Sequence, residues 1–157
     1  MKSLYESIIS KAGVGKIYLI QKWLDEHGIK NYTINSKEEI NVDGDVILDY
    51  KNLTVFPSYI QFGTVKGHFN CSNNNLVSLE GAPEEVGGSF FCNNNNLTTL
   101  KGSPKVVKEY FDCSDNKLKS LEGAPEEAGF FSCSENSVKF TEGDVKKVCK
   151  VKYKIHV

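Results

Sequence analysis

The sequence lacks any apolar run long enough to cross a membrane. No window approaches the roughly 18 consecutive apolar residues that a spanning helix requires. The opening segment, Met-Lys-Ser-Leu-Tyr-Glu-Ser, places Glu6 where a secretory signal peptide would be apolar. These absences argue against a membrane span and a secretory leader, and we expect a cytoplasmic protein that has no membrane partner.

An excess of charge of one sign is also missing. The chain carries 19 basic and 20 acidic side chains, which gives a formal net charge of -1. Nucleic acids and anionic membranes attract surfaces on which lysine and arginine clearly outnumber the acidic residues. The balance therefore argues against a nucleic-acid partner.

Disulfide, metal and nucleotide motifs are absent as well. The five cysteines are odd in number and show no C-x-x-C pair. Because cysteine also behaves as a small hydrophobic residue, we interpret them as core residues, with a regulatory thiol or a metal ligand as the alternatives. The segment Gly13-Val-Gly-Lys16 lacks the spacing of a phosphate-binding loop, and Ile17 stands where a magnesium-binding Ser or Thr would be. We predict no cofactor and no metal site.

What the sequence does contain is a repeat of about 20 residues between Val65 and Val145. The phrase Phe69-Asn-Cys-Ser-Asn-Asn-Asn-Leu76 returns with few changes, starting at Phe90, Phe111 and Phe131. Intervals of 21, 21 and 20 residues separate the cysteines of these copies, which are Cys71, Cys92, Cys113 and Cys133. A fixed period of this length predicts coils stacked into a solenoid.

Each repeat predicts a strand followed by a bend. Phe69 and Cys71 are two residues apart, so they point to the same side of a strand. That side must face inward, because one coil cannot bury its apolar residues without a neighbour. The amide of a recurring asparagine is predicted to pair with backbone groups at the bend. The recurring asparagines are Asn74, Asn95, Asn116 and Asn136.

The segment Leu79–Cys92, Leu-Glu-Gly-Ala-Pro-Glu-Glu-Val-Gly-Gly-Ser-Phe-Phe-Cys, resembles the short leucine-rich repeats of phage and bacterial proteins. Each unit also fits the pattern L-x-x-L-x-L-x-x-N-x-L. The resemblance covers Val42 to Val157. It implies a leucine-rich repeat solenoid of the α+β class, with a parallel β-sheet on the concave face and an extended, turn-rich convex side. It also implies a phage origin and a protein partner, and it supplies no catalytic motif.

The N-terminal part is predicted to form a cap. Residues 3–27 show helical periodicity, with an interruption near Gly13 and Gly15, and a short hairpin follows between Tyr32 and Val42. We expect the helix to pack on the first coil, although a partner-binding helix is the alternative. Its predicted apolar residues are Ile17, Ile20, Trp23 and Leu24. The predicted domains are residues 1–41, a helix and hairpin cap, and residues 42–157, a solenoid of about five to six coils.

The chain is predicted to end in a strand. Val148, Val151 and Tyr153 repeat the positions of earlier core residues at an interval of 20 residues, and the matched residues are Ala128, Phe131 and Cys133. The outward residues of this strand are then Lys150, Lys152 and Lys154. These lysines are interpreted as protection of an exposed sheet edge or as an anion-binding patch.

The outward face of the predicted sheet carries one aromatic group. Most outward positions hold small polar residues, whereas Phe91, Tyr110 and Phe130 form a diagonal, with His68 and Asp112 at its border. Several neighbouring aromatic residues on a solvent face are typical of a binding hot spot. The predicted partner-binding residues are His68, Phe91, Tyr110, Asp112 and Phe130. Incidental exposure or self-association is the alternative.

An enzyme is not expected. The predicted sheet offers His68 without a second group to orient it as a catalytic base. We therefore expect a non-catalytic protein-binding module, a phage-encoded factor that binds or inhibits a host protein, a defence protein among the candidates. A virion-associated structural protein is the alternative.

Overall fold

The computed structural model describes residues 15–157 and shows a β-solenoid of about six turns, with a parallel sheet and few helices. The predicted solenoid is therefore confirmed. The helices are α1 (Lys16–Glu26) and α2 (Glu142–Val148). The strands are β1 (Tyr32–Ile34), β2 (Ile40–Val42), β3 (Val46–Ile47), β4 (Phe62–Val65), β5 (Phe69–Asn70), β6 (Glu85–Val86), β7 (Phe90–Phe91), β8 (Val106–Asp112), β9 (Glu127–Ser132) and β10 (Lys150–His156).

Strands of successive coils pair in parallel at the interval of the repeat. Phe69 lies opposite Phe90, and Phe90 lies opposite Phe111. The sheet order is β1-β2-β4-β6-β8-β7-β5-β3, with β9 beside β8 and β10 beside β9. Two short strands per coil, such as β6 and β7, merge into the single long strands β8, β9 and β10 at the C-terminal end. The last three coils thus present the longest continuous strands.

The glycines between β6 and β7 let neighbouring coils approach closely. A Cβ atom at Gly87 would lie 2.2 Å from the carbonyl oxygen of Lys66, a distance that no side chain can occupy. The turns after Leu79 impose a different requirement, because Gly81, Gly102 and Gly123 have φ angles of 95°, 87° and 87°. Glycine adopts this left-handed backbone with little strain.

The core consists of columns of identical side chains. Phe69, Phe90, Phe111 and Phe131 are buried, and successive ring centroids lie 5.4, 5.7 and 5.0 Å apart. The repeat cysteines are buried too, and the Cys71 thiol donates to the carbonyl oxygen of Phe91 in the next coil at 3.4 Å. Burial raises the pKa of the Cys133 thiol to about 11. The predicted inward orientation of these columns is confirmed.

The recurring asparagine links each coil to the one before it. The Asn95 side-chain nitrogen donates to the carbonyl oxygens of Cys71 in the preceding coil and Cys92 in its own coil, at 3.0 and 3.1 Å. Its side-chain oxygen accepts the Leu76 N–H at 2.9 Å. Asn116 makes the equivalent bonds one coil later. The predicted role of this asparagine at the bend is therefore confirmed.

The N-terminal cap packs on the first coil. Trp23 lies edge-on to Phe56 and Phe62, with ring centroids 6.5 and 6.4 Å apart. The buried residues of α1 are Leu19, Ile20, Trp23 and Leu24. The prediction for Ile17 was wrong: its side chain is 39% exposed, and Leu19 takes the inward position. The part of the predicted helix that precedes residue 15 lies outside the described residues. The hairpin is present, with β1 antiparallel to β2.

The predicted register of the last strand was wrong. Val151 pairs with Ala128 and Ile155 pairs with Phe131, with an irregularity between Val151 and Lys154. Val148 lies in α2, which replaces the turn of the earlier repeats. Paired residues of β9 and β10 are 23 residues apart before the irregularity and 24 after it, whereas the copies of the repeat from Phe69 to Phe131 have intervals of 20 to 21. As a result, Tyr153 leaves the predicted core position and is 60% exposed.

A column of residues with positive φ follows the strands. Asn52, Asn73, Asn94, Asp115 and Glu135 have φ angles between 51° and 55°. Asparagine and aspartate tolerate this left-handed conformation better than glutamate does. Glu135 is thus the unfavourable residue of the column.

We expect Glu135→Asn to raise the free energy of unfolding by about 0.5–1 kcal/mol, because it removes part of the left-handed strain. Urea unfolding of the variant and the wild type measures the difference. Glu126→Asn is the matched control, since Glu126 is an exposed glutamate outside the positive-φ positions. Equal effects of the two substitutions would show that the backbone at residue 135 is not strained.

Candidate protein-interaction face

The outward residues of the last coils lie in two adjacent columns. Tyr110 pairs with Phe130, and Phe130 pairs with Lys154. In the second column the paired residues run in the order Asn70, Phe91, Asp112, Ser132 and His156. The repeat interval of 20 to 21 residues predicts these columns as far as Phe130 and Ser132. The same interval places Lys150 and Lys152 next, which was wrong because the register of β10 is shifted.

Three aromatic side chains form a continuous stack on this face, which we call the aromatic stack: Tyr110, Phe130 and Tyr153. The ring centroids of Tyr110 and Phe130 are 5.3 Å apart with an interplanar angle of 12°. Those of Phe130 and Tyr153 are 5.0 Å apart at 30°. The His156 ring lies beside Tyr110, with centroids 6.2 Å apart. The stack therefore runs across the last three strands of the sheet.

The structure brings together some of the predicted binding residues and adds two. Tyr110 and Phe130 belong to the stack. Phe91 does not: it is half-buried in β7 and pairs with Asp112 of β8, diagonal to Tyr110. Tyr153 and His156 were missed, because a strictly alternating strand in the predicted register turns Tyr153 inward. The lysines on both sides of Tyr153 fit either register, so no pattern in the sequence indicates its outward position.

The neighbours of Tyr110 affect its ionisation. Partial burial, and secondarily the negative charge of Asp112, raise the pKa of the Tyr110 phenol above its ordinary value. At neutral pH the phenol is protonated, as it would be at its ordinary pKa, and it can donate a hydrogen bond. A neutral aromatic surface with a hydroxyl group at its edge suits contact with protein side chains and backbone carbonyls.

His68 holds neighbouring coils together through its backbone and its ring. Its backbone N–H donates to the Asp45 carboxylate at 2.8 Å, and its ring Nδ1 accepts the Ser89 N–H at 2.9 Å. This assigns the ring proton to Nε2. The carboxylate of Glu109 lies 3.7 Å from the same Nδ1, but an ion pair there would require a proton on Nδ1. We favour the hydrogen bond because it is shorter, so His68 has a structural role whether or not it contacts a partner.

In the coils before the stack, side chains of one coil accept hydrogen bonds from backbone N–H groups of the next, and the aromatic stack begins where this series ends. Ser89 continues the pattern, since its hydroxyl oxygen accepts the Tyr110 N–H at 3.3 Å. Tyr110 in turn lies in the continuous strand β8, beside the equally continuous β9. Backbone pairing there leaves the side chains of Tyr110 and Phe130 free to stack. The position of the stack thus follows from the change from short to long strands.

Within residues 15–157, no three or more His, Cys, Asp or Glu side chains come together in a way that could hold a metal ion. In the same part of the chain, neither helix combines the length and the apolar character needed to span a bilayer. The shifted register of β10 also places His156 on this face, opposite Ser132.

Comparison with protein-family models, with curated proteins and with solved structures found no match to this chain. Inference about function therefore depends on the geometry of the face.

Proposed function

We propose that this chain is a non-catalytic protein-binding module whose interaction surface is centred on the aromatic stack. The carrying observation is that three stacked aromatic rings occupy a face whose other positions are mostly polar, among them Asn70, Asp112 and Ser132. Stacked rings offer a large contact area and have little conformational freedom to lose on binding. His68, Phe91 and Asp112, the other predicted binding residues, would form the border of this surface.

We also propose that the module is a leucine-rich repeat protein encoded by a phage, and that it acts in the cytoplasm on a host protein. The repeated Leu-Glu-Gly-Ala-Pro phrase, the interval of 20 to 21 residues and the bonding of the bend asparagines support this assignment. In this proposal the sheet carrying the stack is the concave, partner-binding face.

The size of the sheet face limits what it can do alone. The part of the sheet that carries the stack has six strands, which are β3, β5, β7, β8, β9 and β10. At a spacing of about 4.8 Å they span roughly 24 Å, which gives a face of a few hundred Å². A standard protein interface buries about 800 Å² on each partner. Helix α1 packs on the first coil, whereas the stack lies on the last three strands. We therefore expect the loops of the last coils to contribute to the same interface.

Truncation of the stack tests the proposal. We expect the double substitution Tyr110→Ser and Phe130→Ser to weaken capture of the partner at least about tenfold, the loss expected for hot-spot aromatic residues. The measurement is affinity capture from a lysate of a candidate bacterial host, quantified by mass spectrometry. Tyr18→Ala is the matched control, since Tyr18 is an aromatic residue on α1 that is 53% exposed.

Two outcomes would count against the aromatic stack. Undiminished capture by the double variant would move the interaction to another surface. Equal losses in the double variant and in Tyr18→Ala would mean that exposed aromatic residues act non-specifically. Circular dichroism and thermal unfolding of both variants separate loss of binding from loss of fold.

A virion-associated structural protein is the second candidate. The observation that favours it is the outer edge of β10, which no described strand pairs and which could join a larger assembly. Mass spectrometry of purified particles distinguishes the two functions. A structural component would appear in washed virions in stoichiometric amounts, and a host-binding factor would appear only in the infected-cell lysate.

A further inference from the structure

The outer edge of β10 is a free hydrogen-bonding edge in the described part of the chain. On its inner side, β10 bonds to β9 and to the residues next to β9. The Lys150 N–H donates to the carbonyl oxygen of Glu126 at 2.8 Å, and the carbonyl oxygen of His156 accepts the Cys133 N–H at 3.0 Å. No strand within residues 15–157 lies on the other side of β10. A row of backbone donors and acceptors of this length can template another strand.

The charge of this edge is positive and only partly neutralised. Lys150 pairs with Glu127 at 3.6 Å, whereas Lys152 and Lys154 have no ion pair with any described carboxylate. The ammonium group of Lys152 instead lies 4.8 Å from the centre of the Tyr153 ring. Carboxylates on an added strand could therefore form ion pairs with the ammonium groups of Lys152 and Lys154.

The aromatic stack continues to the same edge. Its rings are spaced 5.3 and 5.0 Å apart, close to the spacing of neighbouring strands, and Tyr153 is its most exposed member. An aromatic residue on an added strand would occupy the next position of the stack. The half-buried Val151 and Ile155 likewise offer inward positions for β-branched residues.

We propose that the β10 edge binds an extended acidic segment of a partner protein as an additional β-strand. The segment would pair its backbone with β10, place carboxylates near Lys152 and Lys154, and place an aromatic ring on Tyr153. This inference rests on the proposed protein-binding function and specifies the mode of binding and the chemistry of the partner.

The same charges disfavour a second copy of this chain as the occupant. In a two-fold antiparallel pair centred on Tyr153, Lys152 of each copy would lie opposite Lys154 of the other. Like charges placed directly opposite each other destabilise a strand pair. The lysines therefore disfavour self-association of the edge while leaving it open to an acidic strand.

A synthetic peptide tests the proposal. The probe is the end-blocked, fluorescently labelled peptide Glu-Val-Phe-Val-Glu-Val-Glu, and its binding to the full chain is measured by fluorescence anisotropy. We expect it to bind at least about tenfold tighter than the same peptide with lysine in place of glutamate. We expect a similar loss when the central valine is replaced by proline, which removes a backbone donor and disrupts strand pairing.

Charge reversal on the protein gives the reciprocal test. Lys152→Glu with Lys154→Glu should abolish binding of the acidic peptide and create binding of the lysine peptide. The matched control is Lys117→Glu with Lys119→Glu, which reverses two exposed lysines in a loop of an earlier coil and should leave both affinities unchanged. Hydrogen exchange of the β10 amides should slow when the acidic peptide is bound.

Three results would overturn strand addition. Equal affinity for the proline peptide would mean that charge alone attracts the probe, and no binding by the acidic peptide would leave edge protection as the function of the lysines. Self-association that is lost when β10 is altered, without peptide binding, would identify a second copy as the occupant. In each case, capture of a host protein that still depends on Tyr110 and Phe130 would preserve the broader proposal of protein binding.

Discussion

Replacing Asn95 with alanine will lower the free energy of unfolding by about 3 kcal/mol, because the substitution strands a buried donor and removes several hydrogen bonds. The Leu76 N–H donates to the Asn95 side-chain oxygen, and Leu76 is fully buried. The carbonyl oxygens of Cys71 and Cys92 lose one donor each but keep bonds from Asn74 and Asn116. The unpaired Leu76 amide is therefore the main cause of the loss.

The neighbouring Asn96 supplies the control. It is the next residue of the same asparagine run, and its side chain makes no hydrogen bond with the described residues. Asn96→Ala should change the free energy of unfolding by no more than about 0.5 kcal/mol. Urea unfolding and calorimetry measure both variants, and Asn95→Ala should lower the Tm by roughly 10 °C. Equal stability of the two variants would mean that the bend asparagine does not hold the coils together.

The interval of the repeat predicts the stacked core. Because Phe69, Cys71 and Leu76 return at a nearly constant interval, coils that stack in register bring identical residues together. The bend asparagine was predictable for the same reason, since it recurs at the same interval and its amide can both donate and accept. The first coil stacks in the same way, with Val42 opposite Val65.

The last coil was not predictable from the same signal. Helix α2 is present where earlier repeats have turns, and strand β10 contains an irregularity that shifts its pairing. Alternation of lysine with larger residues fits either register, so the sequence could not decide whether Tyr153 lies inside or outside. The structural roles of His68 and Ser89 were equally hidden, because they depend on how closely the backbones of neighbouring coils approach.

The aromatic face was therefore only partly predictable. Tyr110 and Phe130 follow from the repeat, because both precede a core phenylalanine by one residue. Tyr153 completes the stack through a shift in strand pairing that only the three-dimensional arrangement reveals. The resulting surface is nearer to the C-terminal edge than the predicted diagonal, and this shift is what connects the stack to the edge of β10.

Alkylation of the four repeat cysteines tests the stacked arrangement most directly. Cys71, Cys92, Cys113 and Cys133 are at most 1% exposed, and burial raises the pKa of each thiol. Iodoacetamide reacts with the thiolate, so the modification requires both access and ionisation. Each site can be followed by mass spectrometry against the unstructured peptide Phe-Asn-Cys-Ser-Asn as a reference.

The stacked coils predict that all four cysteines of the folded protein react at least about a thousandfold more slowly than the peptide, because reaction must await opening of the core. Asn95→Ala should accelerate the reaction of Cys71 and Cys92, and Asn96→Ala should not. If any of the four sulfur atoms in the folded protein reacts at a rate close to that of the peptide, the cysteine column does not lie between the coils.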